Sequence, residues 1–329
     1  MSSAALDRLL AVLLVVQLAS GLVSLRAGTE ATAPLFWLHG LVGGAILVAA
    51  IEKLRRTIGP AWRRRRWGRL ALGALLTWLV ALALVGGFAW VAGGRILSIG
   101  PWTVLTLHVW AALAIVPVVV LHLAPRRWRL LRVPNAAPRV SRRTFLGIGA
   151  VVALGAVAWA SANVLDRVGG GMRRFTGSRW LPDGGVPPVT TFYGEGTPSL
   201  DAGRWRLRVS GRVANELELD LAALRALGEE ARDETLDCTS GWAMRTAWSG
   251  TPLRSVLAAA GAPDPQRVAI HSVTGWMVRL AADELDGALL ATHVAGRPLP
   301  PGNGAPVRLV APRRRGLDWI KWVERIEVA

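Results

Sequence analysis

The sequence predicts two architectures in one chain, an all-α bundle of five membrane-spanning helices followed by an α+β domain. Three observations predict it. Five apolar runs long enough to cross a bilayer fall before residue 166, and arginines crowd two of the segments between them. Past a Gly/Pro-rich stretch the pattern shortens to strand-like alternation and brief helical segments. The 329 residues are 52% hydrophobic with a mean hydropathy of +0.37, which excludes a disordered chain. The formal net charge of +17 is unevenly placed. Residues 1–165 carry 18 Arg/Lys against three acids (Asp7, Glu30 and Glu52), whereas residues 166–329 carry 21 against 19. Basicity confined to the apolar half reads as membrane orientation and excludes a nucleic-acid partner.

A spanning helix needs about 20 mainly apolar residues. Leu9–Leu25, Pro34–Ile51, Leu70–Ala92, Trp102–Leu123 and Phe145–Leu165 meet that requirement. The first is the shortest, but no small-residue cleavage site follows it and a second apolar run comes at once, so it reads as a span rather than a signal peptide. Residues 52–69 hold eight Arg/Lys and residues 124–143 hold seven, while the alternate connections hold only Arg26 and Arg95. The positive-inside rule then places the N-terminus in the cytoplasm and everything after Leu165 outside. This is a multi-pass protein of the cytoplasmic (inner) membrane with an extracytoplasmic C-terminal domain.

His39, His108 and His122 lie in these spans. An ionisable residue in hydrocarbon is costly and points to function. His39 and His108 each sit about five or six residues inside the outer end of their helices, within roughly 10 Å of the outer surface. Two imidazoles at one depth on antiparallel helices suit axial ligation of a single haem b iron. His122 lies fourteen residues beyond His108, about 21 Å deeper and without a partner histidine. Its place beside Pro125-Arg126-Arg127 suits snorkelling at the cytoplasmic headgroups. In helix count and histidines this half resembles small b-type cytochrome membrane domains; polar packing alone is the other reading of the histidines.

Ser141-Arg142-Arg143-Thr144-Phe145-Leu146 opens the fifth run and resembles the twin-arginine export signal, ahead of a Gly/Ala-rich helix. That route implies the twin-arginine export machinery as a partner and a cofactor inserted before export. Ala160-Ser161-Ala162 has the composition of a cleavage site, but an uncleaved anchor is the favoured reading. Gly169-Gly170-Gly171, Pro182-Asp183-Gly184-Gly185 and Pro187-Pro188 mark a linker. The expected organisation is a four-helix haem-b-like domain over 1–140, a signal/anchor helix over 141–168, a linker over 169–188 and an exported domain over 189–329.

In that last region Arg204–Ser210 alternates with period two, apolar at Trp205, Leu207 and Val209, as a half-buried strand does. Leu221–Leu227 and Pro252–Ala260 read as short helices, and Arg267–Ser272, Trp276–Leu280 and Val307–Val310 as strands. The lone cysteine, Cys238, excludes an intrachain disulfide. It stands in Thr235-Leu236-Asp237-Cys238-Thr239-Ser240-Gly241-Trp242-Ala243-Met244, followed by Trp248-Ser249-Gly250-Thr251-Pro252-Leu253. Near the end come Pro300-Pro301-Gly302-Asn303-Gly304-Ala305-Pro306-Val307-Arg308-Leu309-Val310 and Ile320-Lys321-Trp322-Val323.

These stretches resemble the sulfite-oxidase superfamily of molybdopterin enzymes, and within it most the bacterial periplasmic methionine-sulfoxide reductases, over about 190–329. The resemblance implies a sulfite-oxidase-type molybdopterin domain with Cys238 as the protein thiolate on molybdenum, a soft ligand for that metal. It implies that Tyr193 and Gly194 contact the pterin, with Thr190 standing where the family has Asn. It places Ser272 where the family has a Thr hydroxyl. Asn303, Arg308 and Lys321 match residues that hold the pterin or its phosphate, and a basic pair suits a phosphate in any case.

True sulfite oxidases have arginines after the cysteine, where this chain has Thr239-Ser240-Gly241-Trp242. Arg313-Arg314-Arg315 is either a source of positive charge near the metal or a solvated loop. His271 and His293 lack partner spacing, and no Walker, Rossmann or zinc pattern occurs. The expected function is two-electron oxygen-atom transfer outside the membrane, with reduction of a small-molecule or protein-bound sulfoxide-like substrate preferred. Haem b would exchange the electrons with a quinone or membrane flavoprotein. Sulfite-type oxidation is the alternative, and a non-catalytic exported binding module is the reading from another class.

Overall fold

The structure is a computed structural model that describes residues 1–63, 67–124, 141–190, 196–262 and 264–329. The chain forms two compact units, Met1–Ser24 with Glu30–Arg179, and Leu25–Thr29 with Trp180–Ala329.

In the first unit the apolar runs become five helices: α1 (Ser3–Ser24), α2 (Ala33–Arg63), α3 (Trp67–Ala92), α4 (Val104–Leu123) and α5 (Arg142–Val168). All five are long and apolar enough to cross a membrane. A two-stranded hairpin, β1 (Ser98–Ile99) and β2 (Trp102–Thr103), joins α3 to α4. Three helix starts carry side-chain caps: Ser2 accepts from the Ala5 N–H at 3.2 Å, Thr103 from the Thr106 N–H at 3.1 Å and Ser141 from the Thr144 N–H at 3.2 Å. Leu6 and Leu13 of α1 pack with Val42, Ala45, Ile46 and Ala49 of α2 and Val151 of α5. Leu79 and Ala83 of α3 meet Ala111 and Ile115 of α4. Other large apolar side chains, such as Val15, Trp78, Leu121 and Val157, are exposed, as lipid-facing residues would be.

Two glycines let α2 and α5 touch backbone to backbone. A Cβ at Gly44 would lie 2.2 Å from the Gly155 carbonyl oxygen, and one at Gly155 would lie 2.4 Å from the Ala45 nitrogen. Small residues at a crossing substitute for the hydrophobic drive that helices lack in lipid. At the end of α5 the buried Asp166 accepts from Arg173 Nε at 2.7 Å and Arg179 Nη1 at 2.9 Å, and Arg179 Nη2 also donates to the Trp90 carbonyl at 2.5 Å. These partners tie the ends of α3 and α5; removing Asp166 would leave the buried Arg179 charge uncompensated, at a cost of about 3–5 kcal/mol.

The second unit contains two sheets. The first runs β11-β10-β7-β3, with β6 also on β7 and β12 also on β10. Its strands are β3 (Arg179–Trp180), β6 (Glu230–Asp237), β7 (Trp242–Pro252), β10 (Leu289–Val294), β11 (Arg297–Pro298) and β12 (Arg308–Val310). The second runs β5-β4-β13-β8-β9, from β4 (Leu207–Gly211), β5 (Leu217–Leu219), β8 (Arg267–Ser272), β9 (Met277–Ala281) and β13 (Val323–Val328). Strand β13 is parallel to β4 and antiparallel to β8, with Ile326 opposite both Val209 and Ile270. Alternation sends Val209, Ile270, Leu280 and Ile326 into the core. Short helices α6 (Leu221–Ala226) and α7 (Leu253–Ala259) complete the α+β unit.

The predicted strand at Arg204–Ser210 begins three residues later, because the N–H groups of Arg204 and Trp205 donate to the Asp201 carbonyl in a turn. The long pair β6–β7 has no entry among the predicted strands: β6 reads Glu-Ala-Arg-Asp-Glu-Thr-Leu-Asp, whose apolar face is too sparse for a periodicity argument.

Candidate active site

The turn between β6 and β7 presents the sulfur. The Cys238 N–H donates to the Trp242 carbonyl at 2.8 Å, and the Gly241 N–H donates back to the Cys238 carbonyl at 3.0 Å. Gly241 adopts φ 104°, which the hairpin requires and a side chain would resist. Cys238 is buried, its Sγ 3.1 Å from Ser240 Oγ, at the side of a cavity of about 410 Å³. Trp242, Ser272, Trp276, Arg308, Trp319 and Lys321 line the cavity with it.

Arg308, the first residue of β12, is 3% exposed. Its Nη1 donates to the Asn303 carbonyl at 2.9 Å, and its guanidinium lies 5.5 Å from the Trp248 ring centroid. Among the described residues its Nε is buried without a hydrogen-bond partner, and none of its contacts there is a carboxylate. Burial pulls its pKa down to about 10, with Cys238 acting in the opposite direction, so it remains a cation at neutral pH. Lys321 Nζ donates to the carbonyls of Thr190 at 2.8 Å and Gly302 at 2.7 Å. Between the two cations sits Gly304 at φ 112°, where a Cβ would come within 3.0 Å of Lys321 Cα and 3.2 Å of Arg308 Cβ. Trp322, beside Lys321, takes φ 53°, held by its N–H on the Gly304 carbonyl and its indole N–H on the Pro301 carbonyl. A non-glycine residue in that region costs about 1–3 kcal/mol and persists only where the surroundings impose it.

Of the residues expected from sequence, Cys238, Ser272, Arg308 and Lys321 come together on the cavity wall, joined by Thr190. Ser272 Oγ is 3.0 Å from Thr274 Oγ1. Asn303 is buried behind the wall instead, its amide donating to the Pro187 carbonyl at 2.9 Å and its own carbonyl supporting Arg308. Tyr193 and Gly194 lie outside the described residues. None of Arg313, Arg314 and Arg315 lines the cavity. Arg313 donates to the Asp283 carbonyl, Arg314 pairs with Glu284 and Asp318, and Arg315 pairs with Asp237. Trp248, which stands in the stretch that follows the cysteine, lies under Arg308, and Trp319, which sequence reasoning did not single out, meets its ring edge to face at 5.5 Å.

A second cluster lies in the first unit. The His39 and His108 rings are 6.1 Å apart between centroids and nearly perpendicular, at 83°. His108 Nδ1–H donates to the Ala83 carbonyl at 2.6 Å, which leaves Nε2 with its lone pair. His39 Nε2 accepts from the Gln17 amide at 3.0 Å, so its Nδ1 carries the proton and donates to Ser20 Oγ at 2.9 Å. Ser20 in turn donates to the Gln17 carbonyl at 3.1 Å. Both imidazoles therefore carry their proton on Nδ1; the Nε2 lone pair of His108 is open toward a metal, whereas that of His39 would first have to give up its hydrogen bond from Gln17. Gly21 and Gly87 leave room beside them, since a Cβ at either would lie 3.2 Å from a histidine ring atom. His122 falls in the last turn of α4, away from this pair.

Comparison with known proteins bears on the second unit. A family model for the oxidoreductase molybdopterin binding domain matches residues 194–329. The catalytic subunit of protein-methionine-sulfoxide reductase from Gluconobacter oxydans is 31% identical over 222 residues, covering 57% of this chain and 69% of that one. This chain belongs to the molybdopterin-binding oxidoreductase family. The corresponding subunit from Xanthomonas campestris pv. campestris is 34% identical over 170 residues, 43% of this chain and 52% of that one. The chain thus spans about half the length of its Xanthomonas relatives. Among solved structures, sulfane dehydrogenase from Paracoccus pantotrophus matches at 23% identity with a TM-score of 0.39, covering 40% of each chain.

The cavity fits the cofactor of this family. A soft sulfur and a buried cation with, among the described residues, an unpartnered N–H and no carboxylate form a donor set suited to a metal attached to an anionic group. Arg308→Met keeps the bulk and removes the donors. Charged hydrogen bonds are worth about 1.5–3 kcal/mol, so molybdenum per purified chain should fall about tenfold or more with no loss of thermal stability. Molybdenum content by mass spectrometry and melting by circular dichroism check this; undiminished molybdenum would remove Arg308 from the cofactor site.

Proposed function

We propose that this molybdopterin oxidoreductase is anchored in the cytoplasmic membrane and reduces sulfoxide-type substrates on its extracytoplasmic side, with Cys238 as the molybdenum ligand. The overall change is addition of two electrons and two protons to a sulfoxide, releasing a thioether and water. The molybdenum cofactor, when bound, supplies two-electron oxygen-atom transfer. The chain supplies the sulfur of Cys238, the cations Arg308 and Lys321 for the anionic part of the cofactor, and the walls that exclude water. Ser272 and Thr190 offer hydroxyl groups at the edge of that cofactor site.

The observation that carries the preference for a neutral substrate is the cavity's charge. Its cations are Arg308 and Lys321, one buried under the Trp248–Trp319 pair and the other held by two carbonyls. The Arg313–Arg315 run is spent on Asp283, Glu284, Asp318 and Asp237. The rest of the wall includes Trp242, Trp276 and Leu317, which suit an apolar thioether better than a sulfite dianion. The relatives named as methionine-sulfoxide reductases point the same way. Purified protein given reduced dye should turn over methyl sulfoxides, free or in peptides, and show little sulfite oxidation with oxidised dye. Cys238→Ser should fold but lose turnover by more than about a hundredfold, because a hydroxyl is a harder ligand than a thiolate. Sulfite oxidation exceeding sulfoxide reduction would reverse the direction assigned.

Electrons for this reduction would come from a quinone or a membrane flavoprotein through haem b held by His39 and His108. The two rings lie 6.1 Å apart between centroids, and both would hold the group once Gln17 releases His39 Nε2. A haem so held supplies one-electron exchange with the membrane pool. Purified protein should show a low-spin b-type spectrum at about one haem per chain. His39→Ala or His108→Ala should abolish it or convert it to high spin, whereas His122→Ala should leave it in place. A spectrum surviving both of the first two variants would end this assignment.

The twin-arginine route is proposed for export of the loaded domain. Replacing Arg142 and Arg143 together with lysine preserves charge, and therefore helix orientation, but should stop the domain from appearing outside the membrane. Protease accessibility of the domain in spheroplasts reads the outcome, and normal exposure would refute the route.

A further inference from the structure

We propose that the Arg315–Asp237 ion pair is a positioning device that fixes the direction of the Cys238 sulfur toward the metal; this rests on the reading of Cys238 as the molybdenum ligand. Arg315 and Asp237 are 3% and 1% exposed, an ion pair fully withdrawn from solvent. Such a pair seldom adds stability over apolar residues of the same volume, so a structural role alone accounts poorly for its presence beside Cys238.

The geometry points to that role. Arg315 Nη2 donates to Asp237 Oδ1 at 3.1 Å and to the Cys238 carbonyl at 3.2 Å, so one nitrogen brackets the peptide that carries the cysteine. The next residue, Gly316, lies flush beneath it, where a Cβ would come within 3.2 Å of the Asp237 carbonyl oxygen and 3.3 Å of Cys238 Cα. From the other side, the Trp242 carbonyl and the Gly241 N–H hold the cysteine backbone in the hairpin. With its backbone clamped on both sides, Cys238 keeps only its side-chain torsion to aim the sulfur. Gly316, Leu317 and Trp319 continue onto the cavity wall, so one loop supports the cysteine and shapes the space in front of it. Asp237 offsets the arginine's charge, which makes the expected effect geometric. Partners that orient metal ligands typically change affinity or activity by about 10–100-fold when removed.

The test uses the full-length protein from a molybdate-fed host and compares wild type with Arg315→Lys, Arg315→Met and Asp237→Asn. Arg315→Lys keeps the charge but replaces the planar guanidinium, whose Nη2 holds both acceptors, with a shorter, freely rotating ammonium. In variants that melt within about 5 °C of wild type, the Mo(V) paramagnetic resonance signal should have shifted g values, kcat should fall about tenfold and KM should stay within about twofold. Asp237→Asn is isosteric and covers the case in which the arginine variants fail to fold. A second measurement needs no metal: in chains from a molybdate-starved host, the alkylation rate of the sole cysteine should rise by about tenfold once the clamp is loosened. Folded variants with the wild-type Mo(V) signal and the wild-type alkylation rate would overturn the proposal. Cys238→Ser separates the two levels, since an unchanged Mo(V) signal in that variant would refute the ligand assignment itself.

Discussion

A cation buried without a carboxylate among the described residues is the constraint on which the rest of the site depends. Arg308 could not remain charged inside the second unit at ordinary energetic cost unless something anionic answered it. Its surroundings are arranged for that tension. The Asn303 carbonyl takes one N–H, the Trp248 face covers the guanidinium, and Gly304 removes the side chain that would separate it from Lys321. Trp322 accepts an unfavourable backbone conformation in the same segment. Strain, an unfilled hydrogen-bonding site and a soft sulfur converge on one cavity, and nowhere else among the described residues of this unit do these features coincide.

Much of this was legible in the sequence, for reasons that differ by element. The five helices were visible because lipid imposes a length and an apolar composition that no soluble helix needs to meet. The edges were less visible, since α2 continues to Arg63 through charged residues that a hydropathy argument stops before. Cys238, Arg308 and Lys321 were legible through their neighbours rather than their own types. Asn303 was legible as a position but not as a role: it serves through its carbonyl, which any residue possesses, while its amide faces the Pro187 carbonyl. The arginine run was the least legible, because its partners Asp237, Asp283, Glu284 and Asp318 are brought to it only by the folded chain.

The histidine cluster shows a related division. Spacing and depth single out His39 and His108, but the tautomers follow from Ala83, Gln17 and Ser20, of which one contributes only a backbone carbonyl. Helical geometry makes such partners hard to foresee, since a carbonyl released to a side chain leaves no mark in the residue type. The glycines carry a weaker trace. Gly21 and Gly87 sit beside the histidines, and Gly44 and Gly155 at the tightest helix crossing, yet in sequence all four are equivalent members of an apolar run.

Ser141 has a consequence of a different kind. The serine that begins the arginine pair is also the residue whose hydroxyl caps α5 through the Thr144 N–H. One short stretch therefore holds the start of a helix and, on the export route proposed above, an address for the transport apparatus. A change that removed the Ser141 hydroxyl would loosen the first whatever became of the second.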